Sequence, residues 1–441
     1  MKRTRLLSVL IVISVIFMCM QIYFFKNAGQ RHERHLTEES AIKTFVEISS
    51  SHNIPIFLVE PDILQKISNR QQASREPSKH CKYLCHNKQK TTFAVINKHW
   101  KEQNQFFNTL KQSGFSWTHT TGKDPRPLSS RIHDNQDIPL HYLFYKNEHT
   151  IHLVIFYERN SNYWWHGPIE VDDSIEVKDQ MTVTGAVIGQ HAGAFDKMVI
   201  SPIYIDGVKV HVPRDTSSFL RQLLHSKFIE CNYQEASRFL EENGDDNREE
   251  ATFFRVKAKK LLIKAKDLLD QIGIRFWLSS GTCLGWYREC NTIAHSQDVD
   301  LGIWIKDYQS SLIHTFERNG LSLKHLFGKE EDSFELSFMS GDLKLDIFFF
   351  YEEDNIMWNG GTQAKTGKKF KYNFPKFTLC WTEFVGLKVR VPCETHSYIE
   401  ANYGKDWNKR VRDWDWKSSP ANVKENGFWP EEERPRVIQV F

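Results

Sequence analysis

Two aspartates, Asp298 and Asp300, lie two residues apart in the stretch Asp298–Ile305. In this stretch an apolar residue occupies every second position, as in a β-strand with one face in the core. Residues i and i+2 of a β-strand point to the same face, so the two carboxylates are expected side by side while Val299 faces the core. Adjacent carboxylates repel each other unless a cation lies between them, and oxygen ligands suit Mg²⁺ or Mn²⁺ carrying a substrate diphosphate. The pair predicts a metal site, although a solvated strand end would show the same spacing.

A third carboxylate, Asp346, is the single acidic residue of the apolar segment Lys344–Phe350. An ionised group in such a segment needs a partner. A neighbouring strand would bring Asp346 beside Asp298 and Asp300, giving a three-carboxylate site that holds metal and accepts a proton from an attacking hydroxyl. This arrangement favours phosphoryl transfer, with Asp346 either the base or a metal ligand.

A glycine-rich stretch, Ser279–Gly285, follows the predicted strand at residues 274–278. Its glycines would allow the backbone to approach a ligand closely, so the stretch is a candidate phosphate-contacting turn. A glycine-rich turn after a strand is common, and the interpretation depends on the carboxylates that come next in the chain.

The remaining pattern predicts an α/β (α+β) chain with two globular domains. Short β-branched and aromatic segments at residues 93–96, 141–145 and 151–157 indicate a sheet-rich N-terminal half. Apolar residues recur at helical spacing from Phe254 to Ile272, and an acidic linker at residues 241–250 precedes them. A domain boundary is therefore expected near residue 245.

Residues 6–25 form an uncharged apolar run, and Lys2, Arg3 and Arg5 precede it. The run is long enough for a membrane-spanning helix, and the positive-inside rule leaves the N-terminus cytosolic; a cleaved signal peptide is the alternative. The predicted organisation is a cytosolic tail at residues 1–5, a transmembrane signal anchor at 6–25, a stem at 26–45, an N-terminal lumenal domain at 46–245 and a C-terminal catalytic domain at 246–441.

Charge and cysteine content constrain the partners. The formal net charge is +3 over 441 residues, which gives no electrostatic case for nucleic-acid binding. Cys81 and Cys85 are spaced for a short-loop disulfide, with two free thiols as the alternative. Seven cysteines follow the apolar run, so they cannot all pair with one another.

The order Gly-Thr-x-Leu-Gly, Asp-x-Asp, hydrophobic-Asp-hydrophobic resembles the LicD-type phosphotransferase branch of the nucleotidyltransferase superfamily. Further segments carry the resemblance, which extends over the whole chain: Ser280–Arg288, Asp298–Gly302, Trp358–Phe370 and Tyr398–Trp407. The resemblance implies a nucleotidyltransferase fold with a mixed sheet in the C-terminal domain. LicD-type sequences usually carry further acids before the Asp-x-Asp pair, where this chain has His295-Ser-Gln297. The number of metal ions therefore stays open.

The resemblance also implies a function. It indicates a single-pass type II enzyme of the Golgi membrane, acting beside other Golgi enzymes, that transfers ribitol 5-phosphate from CDP-ribitol. The acceptor would be the GalNAc of the phosphorylated O-mannosyl glycan of α-dystroglycan, and CMP would leave after in-line attack. Asp298 and Asp300 would hold Mg²⁺ or Mn²⁺. The residues expected at the donor or acceptor phosphates are Gly281, Thr282, Arg288, Lys365, Lys368, Lys369 and Lys371, the four lysines having a solvated basic loop as their alternative.

Two other functions fit parts of the pattern. A Golgi glycosyltransferase would use an Asp-x-Asp motif to hold a nucleotide-sugar, but it needs neither the Gly-Thr-x-Leu-Gly segment nor Asp346. A non-catalytic Golgi partner of glycan-modifying enzymes would need none of the three carboxylates.

Overall fold

A computed structural model describes residues 2–69, 84, 90–100, 104–126, 136–147, 149–160, 162–169, 187–244, 246, 248–411 and 413–441, with side chains at 13–26 and from Ala41 onward. The chain forms two compact units: residues 1–124 with 135–224, and residues 125–134 with 225–441. The predicted boundary near residue 245 and the predicted domain limits stay predictions. The predicted Cys81–Cys85 pair lies outside the described residues.

The first helix, α1, runs from Lys2 to Ser51, and its last turns bury Ala41, Ile42 and Phe45 in the core of the first unit. Within the described part of the chain, no helix is long and apolar enough to cross a membrane. This finding contradicts the predicted transmembrane span at residues 6–25 and the type II Golgi-membrane location based on it.

The first unit contains a seven-stranded mixed sheet in the order β1-β2-β5-β4-β3, with β6 and β7 continuing from β5. Strands β2 and β5 are parallel, and β8 and β9 form a separate hairpin. The segments predicted as strands at residues 93–96, 141–145 and 151–157 lie within β2, β4 and β5, which confirms a sheet-rich first half. The elements are β1 Phe57–Leu58, α2 Pro61–Asn69, β2 Lys90–Ile96, α3 Asn104–Gln112, β3 Ser116–Lys123, β4 Asp137–Lys146, β5 His149–Arg159, β6 Tyr163–His166, β7 Gly193–Asp196, β8 Ile200–Ile205, β9 Val208–Pro213 and α4 Thr216–Leu224, with a 3₁₀ turn at Asn97–His99.

The second unit contains a nine-stranded mixed sheet in the order β19-β16-β15-β14-β13-β12-β20. Strand β11 pairs in parallel with β14, and β10 pairs antiparallel with β11. The elements are α5 Tyr233–Asn243, α6 Glu249–Gln271, β10 Phe276–Leu278, α7 Ser280–Glu289, β11 Asp298–Trp304, a 3₁₀ turn Ile305–Asp307, α8 Ser311–Arg318, β12 Ser322–Lys329, β13 Asp332–Ser340, β14 Leu343–Glu352, β15 Ile356–Gln363, β16 Lys368–Pro375, β17 Leu379–Phe384, β18 Leu387–Pro392, α9 Thr395–Tyr403, β19 Val423–Phe428, α10 Arg434–Val437 and β20 Ile438–Val440.

The long helix α6 covers the core of this sheet. Its apolar stripe, which includes Leu261, Leu262 and Leu269, is buried in one cluster with Leu301 and Ile347 of the central strands. Fully burying each such side chain contributes about 1.5–3 kcal/mol, so the central parallel pair is rigidly held. The predicted amphipathic helix is confirmed.

The Ser279–Gly285 stretch is a helix rather than the predicted turn, because α7 begins at Ser280 immediately after β10. Gly285 is needed inside this helix, since a Cβ there would stand 2.6 Å from the carbonyl oxygen of Asn291. Gly285 therefore allows close packing inside a helix. The sequence pattern does not distinguish such a glycine from one that a turn requires.

Two disulfides lie in the second unit, Cys231–Cys290 and Cys380–Cys393. The first links Cys290, which follows α7, to Cys231, which precedes α5. Cys283 of α7 is a buried free thiol whose pKa is raised by burial.

Candidate active site

Strands β11 and β14 place four ionisable side chains on one face of the sheet. In their parallel register Asp298 lies opposite Lys344, and Asp300 lies opposite Asp346. Because side chains alternate along a strand, all four point away from the core residues between them. Pairing of these two strands therefore assembles a compact charged cluster from segments 46 residues apart in the chain.

The three aspartates converge. One carboxylate oxygen from each of Asp298, Asp300 and Asp346 lies within 4.8 Å of the others, the spacing of ligands around one metal ion. Asp300 and Asp346 are buried, whereas the side chain of Asp298 is 32% exposed. The Ser337 hydroxyl donates a 2.6 Å hydrogen bond to Asp346, and the Ser296 hydroxyl donates a 3.0 Å bond to Asp298.

The electrostatics of this cluster call for a cation. Burial, followed by the charges of Asp298 and Asp346, raises the pKa of Asp300 well above its usual value. Burial also raises the pKa of Asp346, against the opposing effects of Lys344 and the Ser337 hydroxyl. A divalent cation among the three groups would favour their ionised forms and remove the repulsion. An all-oxygen ligand set with this charge fits Mg²⁺ or Mn²⁺.

Helix α7 starts against the carboxylates. The Asp300 amide donates a 2.8 Å hydrogen bond to the hydroxyl of buried Thr282, and the Ser279 amide donates to the Asp300 carbonyl at 3.1 Å. A Cβ on Gly281 would lie 3.3 Å from Oδ2 of Asp300, so the small residue lets the helix approach the site. The N-terminal end of a helix attracts anions, which suits a donor phosphate beside Gly281 and Thr282.

Arg288 occupies a different environment from the one expected of a phosphate ligand. Its buried guanidinium donates a 2.6 Å hydrogen bond to Glu289 and bonds of 3.2 and 3.3 Å to the carbonyls of Trp407 and Lys409. Arg288 borders the cavity, but these contacts hold the segment carrying Trp407 onto helix α7. Its role at the donor diphosphate stays a prediction.

The four predicted phosphate-binding lysines are not brought to the carboxylates. Lys369 and Lys371 form 2.6 Å ion pairs with Asp332 and Glu353, Lys368 pairs with Glu425, and Lys365 is exposed. Among the described residues, none of the four lines the cavity. Alternation along β16 explains the placement of Lys369 and Lys371, because Tyr372 and Phe374 occupy the cavity face. The phosphate role of these lysines stays a prediction.

A cavity of about 700 Å³ opens above the carboxylates, large enough for a nucleotide-sized ligand. Its wall includes Glu335 and Asn359, and its aromatic residues include Tyr372, Phe374, Tyr403, Trp407, Trp414 and Trp416. Burial and the nearby charge of Asp346 raise the pKa of Glu335 to about 8. The Asn359 side-chain oxygen is buried without a hydrogen-bond partner among the described residues. The cavity thus offers polar groups that no other contact uses.

Several cavity residues were not predicted from the sequence, and three of them lie close to Asp346 or on the strand that pairs with it. Lys344 lies beside Asp346, and Glu335 and Ser337 project from β13. Alternation in Asp332–Ser340, where Phe334, Leu336 and Phe338 are buried, would have placed Glu335 and Ser337 on the opposite, shared face. The pairing of β13 with β14 is what brings Ser337 opposite Asp346.

Comparison with known proteins gives the family. The family described as Fukutin N-terminal matches residues 1–259, and that described as LicD/FKTN/FKRP, nucleotidyltransferase domain, matches residues 273–394. Ribitol-5-phosphate transferase FKTN of Mus musculus is 46% identical over 458 residues, covering 100% of this chain and 99% of the mouse protein. The chain belongs to the fukutin family. This result confirms the LicD-type resemblance.

Two further relatives match this chain, one over its whole length and one over about half of it. Ribitol-5-phosphate transferase FKTN of Homo sapiens matches at the same 46% identity and coverage. An uncharacterized protein of Caenorhabditis elegans is 30% identical over 243 residues, 52% of this chain. The LicD match at residues 273–394 contains all ten residues predicted for the site, including the three carboxylates.

Proposed function

We propose that this chain transfers ribitol 5-phosphate from CDP-ribitol to the GalNAc of the phosphorylated O-mannosyl glycan of α-dystroglycan, releasing CMP. An identity of 46% over the full length of this chain to proteins named ribitol-5-phosphate transferase supports the reaction. The observation that carries the mechanism is the convergence of Asp298, Asp300 and Asp346 beneath a nucleotide-sized cavity.

The proposed reaction is one in-line displacement at phosphorus. An acceptor hydroxyl oxygen forms a bond to the ribitol-bearing phosphorus, the bond from that phosphorus to the CMP oxygen breaks, and the acceptor proton passes to a carboxylate of the cavity. Asp298 and Asp300 are proposed to hold Mg²⁺ or Mn²⁺, with Asp346 either completing the ligand set or accepting the proton. When bound, the cation neutralises charge on the diphosphate. The N-terminal end of α7 orients a phosphate at Gly281 and Thr282.

The test is a transfer assay with purified full chain, Mg²⁺, an acceptor glycopeptide and either CDP-ribitol or UDP-sugars. We expect the glycopeptide to gain the mass of ribitol phosphate only with CDP-ribitol. Transfer of a sugar without ribitol phosphate would replace this proposal with the glycosyltransferase alternative.

The matched variants are Asp298→Asn combined with Asp300→Asn, and Asp307→Asn as control. Asp307 is paired with Arg275 outside the cavity and carries the same charge. The double variant should lose transfer while still unfolding cooperatively, at a Tm in EDTA no lower than that of the parent, and the control should keep both transfer and Tm. Transfer retained by the double variant would remove these carboxylates from the mechanism.

A further inference from the structure

Lys344 contacts two of the three carboxylates of the cluster, those of Asp346 and Asp298. Its ammonium nitrogen lies 2.6 Å from Oδ2 of Asp346 and 3.6 Å from Oδ2 of Asp298. The side chain is 32% exposed and lines the cavity, so the ammonium faces both the carboxylates and the space for substrate. It occupies the position that a cation shared by these oxygens would take.

Two carboxylates hold the ammonium of Lys344 in the metal-free site, that of Asp346 at 2.6 Å and that of Asp298 at 3.6 Å. A divalent cation bound by the same oxygens would repel the ammonium. The flexible four-carbon stem of lysine allows the ammonium to move without moving the strand.

The cavity offers this ammonium a second partner once a metal is bound. The other basic side chains of its wall include Arg288, held by Glu289 and two carbonyls, and Lys409, which pairs with Asp406 at 2.8 Å. Lys344 is the one of these three that contacts the predicted metal ligands. A diphosphate bridging the metal would place its oxygens next to the displaced ammonium.

We propose that Lys344 is a phosphate ligand of this site: its ammonium neutralises Asp298 and Asp346 before a divalent cation binds, and then turns to the donor diphosphate. The inference rests on the proposed function for the identity of the donor. The same ammonium would thus serve the carboxylates before a divalent cation binds and the donor diphosphate afterwards.

The first experiment measures Mn²⁺ binding to the full chain without nucleotide, by electron paramagnetic resonance at pH 8. The variants are Lys344→Met and, as control, Lys257→Met, whose side chain is similarly exposed at 30% and is paired with Asp342. Lys344→Met should bind Mn²⁺ as tightly as the parent or up to about tenfold more tightly, since a competing cation is gone. Binding weakened by tenfold or more would overturn the proposal.

The second experiment measures CDP binding by calorimetry with saturating Mn²⁺. Lys344→Met should weaken CDP binding about tenfold to a hundredfold, the range for losing one charge-assisted hydrogen bond. Lys344→Arg keeps the charge and should stay within about fivefold of the parent, and Lys257→Met should not change. Unchanged CDP affinity in Lys344→Met would overturn the proposal.

These measurements separate the inference from the proposed function. Mn²⁺ and CDP binding do not require ribitol phosphate transfer. A parent chain that shows the Lys344-dependent CDP affinity but transfers no ribitol phosphate would refute the reaction and uphold the role of Lys344. In an active chain, Lys344→Met should also raise the KM for CDP-ribitol.

Discussion

At the scale of single residues, the carboxylates that the proposed function needs also lower the stability of the metal-free protein. Asp300 is buried, close to two other acids, and its raised pKa means that ionising it in the metal-free protein is unfavourable. A carboxyl whose folded pKa is raised contributes stability below its unfolded pKa and loses that contribution as pH rises. At neutral pH without metal, Asp300 therefore destabilises the second unit.

Asp300→Asn should accordingly stabilise the metal-free chain and inactivate it. In EDTA at pH 7 we expect a higher Tm, by about 2–4 °C for each kcal/mol recovered in a unit of this size. The parent should gain about 2.7 kcal/mol from Mn²⁺ at a hundred times its Kd, and the variant should gain little. Differential scanning calorimetry with and without Mn²⁺ measures both effects, and a lower Tm for the variant in EDTA would contradict the electrostatic argument.

Asp346 has two candidate roles that separate experimentally. Because its oxygen converges with those of Asp298 and Asp300, we expect a ligand role, so Asp346→Asn should weaken Mn²⁺ binding by about tenfold or more. If Asp346 acts as the base instead, Mn²⁺ binding will persist while kcat falls about 10²–10⁴-fold and the acidic limb of the pH–rate profile disappears. Asp307→Asn again serves as the control.

At the scale of elements, helix α7 joins the carboxylate cluster to the aromatic side of the cavity. Its first turn contacts Asp300, and its last turn carries the buried Arg288–Glu289 pair, in which Arg288 donates to the carbonyls of Trp407 and Lys409. Removing one member of a buried ion pair leaves an uncompensated charge. The pair therefore positions the segment after α9 rather than acting as an isolated surface contact.

Arg288→Met should destabilise the chain by about 3–5 kcal/mol, and adding Glu289→Gln should recover part of that loss. Urea unfolding of the two single variants and the double variant measures the coupling. A stable Arg288→Met protein with weakened CDP binding would instead support the predicted diphosphate contact.

The elements also show what the sequence could predict. Alternation around Asp298 and the isolated acid Asp346 predicted strands β11 and β14. Apolar residues at helical spacing predicted α6. Burial of one face imposes each of these periods. Helix α7 was missed as a helix because glycines required for close packing resemble turn glycines. Alternation with Asp346 would have placed Lys344 on the carboxylate face, but its position opposite Asp298 depends on the register between two strands, which one sequence does not encode locally.

The placement of the β16 lysines shows a related limit. Their abundance between Lys365 and Lys371 suggested a phosphate site, but composition does not tell which face of a strand a residue occupies. The alternation of Lys369 and Lys371 with Phe370 and Tyr372 carried that information.

At the scale of the whole molecule, the two units should respond to pH in opposite directions. The first unit buries neutral His141, His149, His152 and His166, and burial lowers the pKa of His141 to about 4 and that of His166 to about 3. The Gly167 carbonyl can only accept a hydrogen bond, so Nε2 of His141 carries the proton and Nδ1 accepts from Nε2 of His152 at 3.0 Å. Protonating His141 would turn that acceptor into a donor facing another donor.

The sign of each response follows from linkage. Histidines with lowered folded pKa values contribute stability above the unfolded pKa of about 6.5 that is lost as pH falls toward 4, by about 1.4 kcal/mol per pH unit for each. In the metal-free second unit, Glu335 has a folded pKa of about 8, so its contribution is present below the unfolded value of 4.5 and is lost as pH rises toward 8. Lowering the pH from 8 to 5 in EDTA should thus weaken the first unit and strengthen the second.

Hydrogen exchange with mass spectrometry, corrected for intrinsic rates, resolves the two units in the intact chain. Peptides from β4 and β5 should lose protection between pH 6.5 and 5, while peptides from β13 and β14 should gain it between pH 8 and 5 in EDTA. Glu335→Gln should reduce the second response, with Asp300 and Asp346 supplying the remainder, and leave the first unchanged. If both units shift in the same direction, buried histidines and buried carboxyls do not control their separate stabilities.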